Sequence, residues 1–373
     1  MPSFHPPRRL LLGPGPSDVP QRILDALARP TIGHLDPAFV GMMDELKELL
    51  RYAFQTANTL TIPVSAPGSA GMEACFVNLI EPGDTVIVCR NGVFGGRMRE
   101  NVLRVGATPV MVEDDFGQPV DPDKVEAALR ANPGAKAVAF VHAETSTGAA
   151  SDAATLCRLA REHGALSIVD AVTSLGGTEV DVDGWGIDAI YSGSQKCLSA
   201  PPGLSPLSFS ARATDTLKAR KSPVQSWFLD LSLVMGYWDG SGGRSYHHTA
   251  PVNMAYALHE SLTMLKEESL TAAWARHRAN HERLRDGLQA LGLELLVDER
   301  HRLPQLNAVV VPGGVDEAGV RRTLLDTHSI EIGAGLGPLA GKIWRIGLMG
   351  ASSRPEAVDR VLEALGQALG RRA

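Results

Sequence analysis

Between residues 71 and 210, short and mostly apolar runs alternate with longer stretches in which apolar residues recur every three or four positions. The short runs predict strands over Thr85–Cys89, Ala137–Val141, Leu166–Asp170, Ala189–Ser192 and Leu207–Ser210. The longer stretches predict helices over Gly71–Ile80, Pro122–Ala131 and Asp152–Glu162, the last with Ser151 as its N-cap. Strands that are apolar on both faces and separated by amphipathic helices belong in a mostly parallel sheet with helices on each side. Past residue 250 the rhythm changes. A helical pattern runs from Val252 to Leu291 in two pieces, followed by strand patterns at Leu293–Val297 and Asn307–Val311. Helical patterns at Val315–Thr327 and Pro355–Leu369 flank a further strand at Ile343–Leu348. The expected architecture is α/β. An N-terminal arm (1–20) precedes a large domain (21–255) on a mixed, mostly parallel sheet, and a smaller C-terminal α+β domain (256–373) closes over it.

Composition narrows the classes. A chain of 373 residues can bury one large core and a smaller second one. Hydrophobic residues make up 44% and charged residues 21%, the usual balance of a soluble globular protein. A net charge of -6 offers no electrostatic footprint for nucleic acid and no basic face for anionic lipid. Cysteines 75, 89, 157 and 197 form no CxxC pair, which suits a reducing compartment and supplies neither a disulfide framework nor a zinc site. No apolar run approaches the roughly 18 residues of a membrane span. The three leucines at 10–12 are too short for a signal-peptide core of about 7–15 residues. The closing GRRA is not a peroxisomal address. A cytoplasmic enzyme is the expectation.

Three features carry candidate chemistry. Asp170 ends the apolar run Leu-Ser-Ile-Val-Asp, at the edge where open α/β sheets bind ligands; a turn-capping role is the plain alternative. Lys196 follows another apolar run, 26 residues later, through a Gly/Ser turn. Burial there would lower its pKa toward the nucleophilic free amine, whereas most lysines are merely solvated. The small-residue segment Ser65–Glu73 (SAPGSAGME) leads into a helix, whose free N–H groups and dipole form an anion site. A phosphate cradle, a strand-end carboxylate and a strand-end lysine, in that order, are what pyridoxal 5′-phosphate (PLP) requires. The carboxylate keeps the pyridine nitrogen protonated, so the ring can accept electrons from the substrate Cα. Arg345 adds a fourth lead. It interrupts the apolar run IWRIGLM, where an unpaired guanidinium is costly to bury; either a substrate carboxylate or an internal ion pair resolves that cost.

Other features carry less. His247 and His248, adjacent in an extended segment, are expected to point to opposite faces and so not to share a metal. Gly337–Lys342 has three residues between its glycines and Ile343 where a Walker motif needs Ser or Thr. A nicotinamide-dependent oxidoreductase lacks its GxGxxG after a strand, and Gly13-Pro-Gly-Pro16 is too rigid for that turn. A cysteine desulfurase needs a nucleophilic Cys on a mobile loop, yet Cys75 and Cys157 fall in helix patterns and Cys89 in a strand. Cys197 is expected to face away from the cofactor.

The segments LLLGPGPSDVP (10–20), EPGDTVIVCRNGVFGGR (81–97), HAETSTG (142–148), VDAVTSLGG (169–177), YSGSQKCLSAPPGLSPLSFS (191–210), YHHTAPV (246–252) and WRIGLMG (344–350) occur in one order. Together they resemble class V, fold-type I aminotransferases, most closely the alanine–glyoxylate / serine–pyruvate aminotransferase family. The resemblance spans nearly the whole chain. It implies that Lys196 holds PLP as a Schiff base and shuttles the proton, with Asp170 on the pyridine nitrogen. Val172 packs on one ring face and Phe94 on the other, while Thr145 meets the ring hydroxyl. Gly68, Ser69, Ala70 and Gln195 serve the phosphate. Arg345, with Gly15 and Thr145 nearby, grips the substrate carboxylate. Tyr246 and Thr249 reach the cofactor of the partner in a homodimer with shared sites. Alanine or serine is the implied donor and glyoxylate or pyruvate the acceptor; serine–glyoxylate aminotransferase is a close alternative. Two positions depart from the family: Pro67 has no N–H to offer a phosphate, and Phe94 stands where Trp is usual.

Overall fold

A computed structural model describes residues 1–239 and 244–371. Its centre is a seven-stranded sheet in the order Leu60–Val64, Ser205–Phe209, Ala189–Tyr191, Leu166–Asp170, Ala137–Val141, Thr85–Arg90, Thr108–Glu113. The last five pair in parallel, and Ser205–Phe209 runs antiparallel to both of its neighbours. All five residues of Leu166–Asp170 and of Ala137–Val141 are buried, as their unbroken apolar character demands when helices cover both faces. The parallel strands end together, so Asp170 lies beside Val141 and Tyr191 at one edge of the sheet.

Several expected boundaries shift. The helix anticipated from Gly71 begins at Gly68 and runs to Leu79, so the small-residue cradle is its first turn rather than a loop before it. Asp152, not Ser151, caps Ala153–Glu162: its carboxylate accepts from Thr155 N at 3.0 Å, while Ser151 Oγ accepts from Val120 N. Leu293–Val297 forms no strand and keeps only a bridge from Leu295 to Val309. Pro37–Phe54, Val93–Val105, Leu60–Val64 and Thr108–Glu113 are further elements that the apolar pattern did not single out.

Buried apolar residues form a large cluster on the main sheet. A second cluster joins Leu10 and Leu12 to Leu284, Val309, Trp344, Ile346 and the helix Pro355–Ala368. Leu10 pairs in parallel with Ile330, which ties the N-terminal arm to this second cluster. Within the strand Ile343–Gly347, alternation sends Trp344 and Ile346 into the cluster and Arg345 to the opposite face. There its cross-strand neighbours are Ala308 and Gly333, small residues that leave room for a guanidinium.

Candidate active site

Asp170 is buried at its strand end. Oδ1 accepts from Val172 N at 2.8 Å and Oδ2 from the Tyr191 hydroxyl at 2.7 Å. Burial pushes its carboxyl up to about 6, while those two donors and the charges of Lys196 and Arg97 act downward. Tyr191 had been read only as part of an apolar strand; its phenol is pushed well up by burial and by Asp170, so it stays a donor.

Lys196 follows the neighbouring strand. Ser17 fixes the turn, donating its N–H to Gln195 O at 3.0 Å and its hydroxyl to Lys196 O at 2.7 Å. Burial, then the positive charge of Arg345, pushes the Lys196 amine down to about 8 against the pull of Cys197, Asp170 and Glu144. Its Nζ donates to Pro14 O, and among the described residues no carboxylate bonds it. Gly15, at φ +103°, lies flat against this side chain: a Cβ there would sit 2.7 Å from Cδ and 2.8 Å from Nζ of Lys196. The positive φ disfavours any side chain there, and one would also push the Lys196 amine aside.

The first turn of the Gly68–Leu79 helix faces the same edge. A Cβ on Gly68 would meet Val172 Cγ2 at 3.2 Å and Ser192 O at 3.3 Å, so the glycine brings free helix N–H groups close to the Asp170 strand end. Ser69 is exposed and Ala70 half-buried there. Gln195 folds over Gly193, and its Oε1 is buried without a partner. Val172 is half-buried against Gly68. Phe94 is half-buried, with the Arg97 guanidinium 4.7 Å from its ring centroid. Thr145 is buried and shares a hydrogen bond with Thr173 Oγ1.

Arg345 donates Nε to Ala334 O at 2.7 Å and Nη1 to Thr145 O at 3.2 Å. Both partners are carbonyl oxygens. The internal ion pair considered from sequence is therefore not what the structure holds, and burial pushes the guanidinium down to about 10 with Glu144 opposing. Pro14 packs on Gly333 next to Arg345, which puts the Gly13–Pro16 turn between the lysine and the arginine.

Tyr246 and Thr249 stand apart. Both are exposed, and their hydroxyls are 3.4 Å from each other. Among the described residues, no hydrogen bond joins either to Lys196 or Asp170. The expectation that His247 and His248 point to opposite faces fails: their Nδ1 atoms are 2.8 Å apart, because the segment is irregular rather than extended. His248 Nε2 also meets Ser65 Oγ at 2.7 Å, which ties this segment to the approach to the cradle helix. All four cysteines are free and buried, and Cys197 turns its Sγ to Thr173 O at 3.4 Å.

The donor set fits a group with an anionic end and a protonatable ring nitrogen. The helix turn at Gly68 presents backbone N–H groups to this edge, with a glycine where a Cβ would crowd Val172 and Ser192 O. Asp170 is a buried carboxylate held by two donors, and Lys196 is a buried amine that no carboxylate bonds among the described residues.

The sequence profile of the family Aminotransferase class-V matches residues 10–351. The alanine–glyoxylate aminotransferase of Oryctolagus cuniculus is 42% identical to this chain, over 97% of it and 93% of the relative. The (S)-ureidoglycine–glyoxylate transaminase of Bacillus subtilis (strain 168) is 40% identical, over 96% and 90%. The crystal structure of alanine–glyoxylate aminotransferase from Nostoc sp. is 46% identical and superposes with a TM-score of 0.97, covering 99% of this chain and 97% of that one.

Proposed function

The chain belongs to the class V aminotransferases and has their fold-type I architecture, and on that premise we propose that it transfers an amino group from alanine or serine to glyoxylate with PLP as cofactor. The observation that carries this reading is the pair of strand ends. A buried carboxylate with two neutral donors stands near a buried amine that, among the described residues, no carboxylate bonds. When bound, PLP supplies an aldehyde for amine exchange and a ring that accepts electrons from the substrate Cα.

The chain's own residues do the rest. Asp170 holds a proton on the ring nitrogen, and the Val172 N–H and Tyr191 hydroxyl fix the carboxylate in place. Lys196 Nζ, lowered to about 8, is a free base often enough near neutral pH to take a proton from Cα and return it. The Gly68–Ala70 turn, with Ser69 and Gln195, binds the phosphate; Phe94 and Val172 flank the ring, and Thr145 bonds its hydroxyl. Arg345, whose hydrogen bonds go only to carbonyls, binds the substrate carboxylate beside Gly15. Both glyoxylate-named relatives support that acceptor, while their donors differ, so the donor is the open choice.

The same reading makes the active unit a homodimer, in which Tyr246 and Thr249 bind the phosphate of the partner's cofactor. Their exposure supports it, as does the neighbouring aromatic surface, where Trp227 is 62% exposed and stacks on His247 at 4.4 Å. The division into arm (1–20), cofactor-binding unit (21–255) and small unit (256–373) draws support from the two apolar clusters. The helix Val252–Glu268 crosses that boundary and packs on the larger one. No helix among the described residues is long and apolar enough to cross a membrane, and four reduced cysteines favour the cytoplasm. The test is a half-reaction screen: PLP-loaded protein is mixed with single amino acids and its visible band followed. Loss of the band with alanine or serine supports the reading, and a protein that gains no band with PLP overturns it.

A further inference from the structure

Glu144 is fully buried, and among the described residues it has no ion pair. It sits in HAETSTG between the main sheet and the loop of Thr145, and no role above uses it. Each of its oxygens is nevertheless engaged. Oε1 accepts from Ser146 N at 3.0 Å and Ser146 Oγ at 2.6 Å, and Oε2 accepts from Phe94 N at 3.3 Å. Ser146 Oγ in turn accepts from Val93 N at 3.0 Å.

These contacts complete a helix terminus from a distance. The helix Val93–Val105 begins after Gly92, which has no side chain to cap it. The first N–H groups of a helix need acceptors. Ser146 and Glu144, some 50 residues downstream, supply them to Val93 and Phe94. The glycine is what admits the carboxylate: a Cβ on Gly92 would lie 2.2 Å from Glu144 Cδ. The helix carrying Phe94 is therefore bolted to the loop carrying Thr145, whose carbonyl receives Arg345 Nη1.

Resting on the PLP reading above, we infer that Glu144 is a positioning residue that clamps Phe94 against the Thr145 loop and so sets the spacing between ring wall and carboxylate anchor. It also adds a buried negative charge opposite Arg345 and Lys196, with Asp170 as the other carboxylate near them. Burial pushes Glu144 up to about 7 against the pull of its Ser146 and Phe94 donors, so it is mostly ionised in the range near 8 where Lys196 titrates. Its charge holds the Lys196 amine upward, as Asp170 and Cys197 do, against burial and Arg345.

The test uses the full-length protein and the variants Glu144→Gln, Glu144→Asp and Ser146→Ala. PLP affinity is read from the visible band of apo protein titrated with cofactor. The pH midpoint of Lys196 is read separately, from its acetylation rate in apo protein by peptide mass spectrometry. Glu144→Gln turns an amide donor toward a backbone donor and should weaken PLP binding by on the order of tenfold. Its Lys196 midpoint should fall by on the order of half a pH unit, because a negative neighbour is gone. Glu144→Asp keeps the charge and should restore the midpoint, which a merely loosened fold would not do. Ser146→Ala, a milder change, should lower PLP affinity by about threefold with the midpoint unmoved. Wild-type affinity and midpoint in a folded Glu144→Gln overturn the inference. Wild-type protein that takes up no PLP overturns the cofactor reading, whereas a Lys196 midpoint that Glu144→Gln leaves unmoved in apo protein overturns this inference alone.

Discussion

The phenol of Tyr191 donates to Asp170 Oδ2 at 2.7 Å, across the ends of two adjacent parallel strands. The bond fixes the carboxylate's orientation and opposes the rise that burial causes. Asp170→Asn keeps the shape and removes the charge that would hold the ring proton. Turnover should fall about a thousandfold or more, corresponding to roughly 4 kcal/mol of transition-state stabilisation. Tyr191→Phe leaves the charge and removes one donor, so its loss should be about tenfold. Steady-state kinetics on both variants checks the ranking, and near wild-type turnover in Asp170→Asn would mean that another acid partners the ring.

Lys196 gives a pH dependence. Its amine is lowered to about 8, so the reactive free base grows as pH rises through that value. Capture of PLP by the apo protein should accelerate with pH and level off above about 8, whereas an ordinary lysine would still be accelerating near 10. Borohydride should then fix the cofactor on Lys196, and Lys196→Ala should bind PLP without turning over. Cofactor fixed on any other lysine contradicts the assignment.

Asp170, Lys196 and Arg345 were legible in the sequence for one physical reason: each sets a charge in or beside an apolar run, where only a partner or a ligand relieves the cost. Tyr191 was hidden because a tyrosine inside an apolar strand looks like core, and its contact crosses to another strand. Glu144 has no periodic setting, and the donor that ties it to the Phe94 helix lies 50 residues away. The strand Leu60–Val64 contains Pro63, which argues against a central strand; it is tolerated because this strand lies at the sheet's edge. The turn Gly68-Ser69-Ala70 looks like loop by composition, yet Pro67 at the N-cap leads straight into helix.

Arg345 sets the substrate. Its guanidinium is held by two carbonyls, and among the described residues no carboxylate bonds it. Arg345→Lys should raise KM for every carboxylate substrate by roughly tenfold or more, because an ammonium cannot reproduce the fork. No second arginine has been given a role for a distal carboxylate. Glyoxylate or pyruvate should therefore be well ahead of 2-oxoglutarate as acceptor. A clear preference for 2-oxoglutarate in a coupled assay removes the glyoxylate assignment and leaves the transaminase standing.

Shared sites can be tested with two dead chains. Lys196→Ala removes the reactive amine. Thr249→Asp places a carboxylate where the exposed Thr249 hydroxyl is proposed to meet the partner's phosphate. Two like charges about 4 Å apart repel by roughly 4 kcal/mol at an effective dielectric of 20, enough to weaken cofactor binding severely. In a mixed dimer with shared sites, one site receives both lesions and the other receives neither. Activity should then return to about half the wild-type value per dimer. If Thr249 serves its own chain, each site keeps one lesion and nothing is restored. Co-expression with two affinity tags isolates the mixed species, and circular dichroism confirms that both parents are folded. Complete inactivity of such dimers would put Thr249 in its own chain's site, where its neighbour His248 already meets Ser65 at the approach to the cradle.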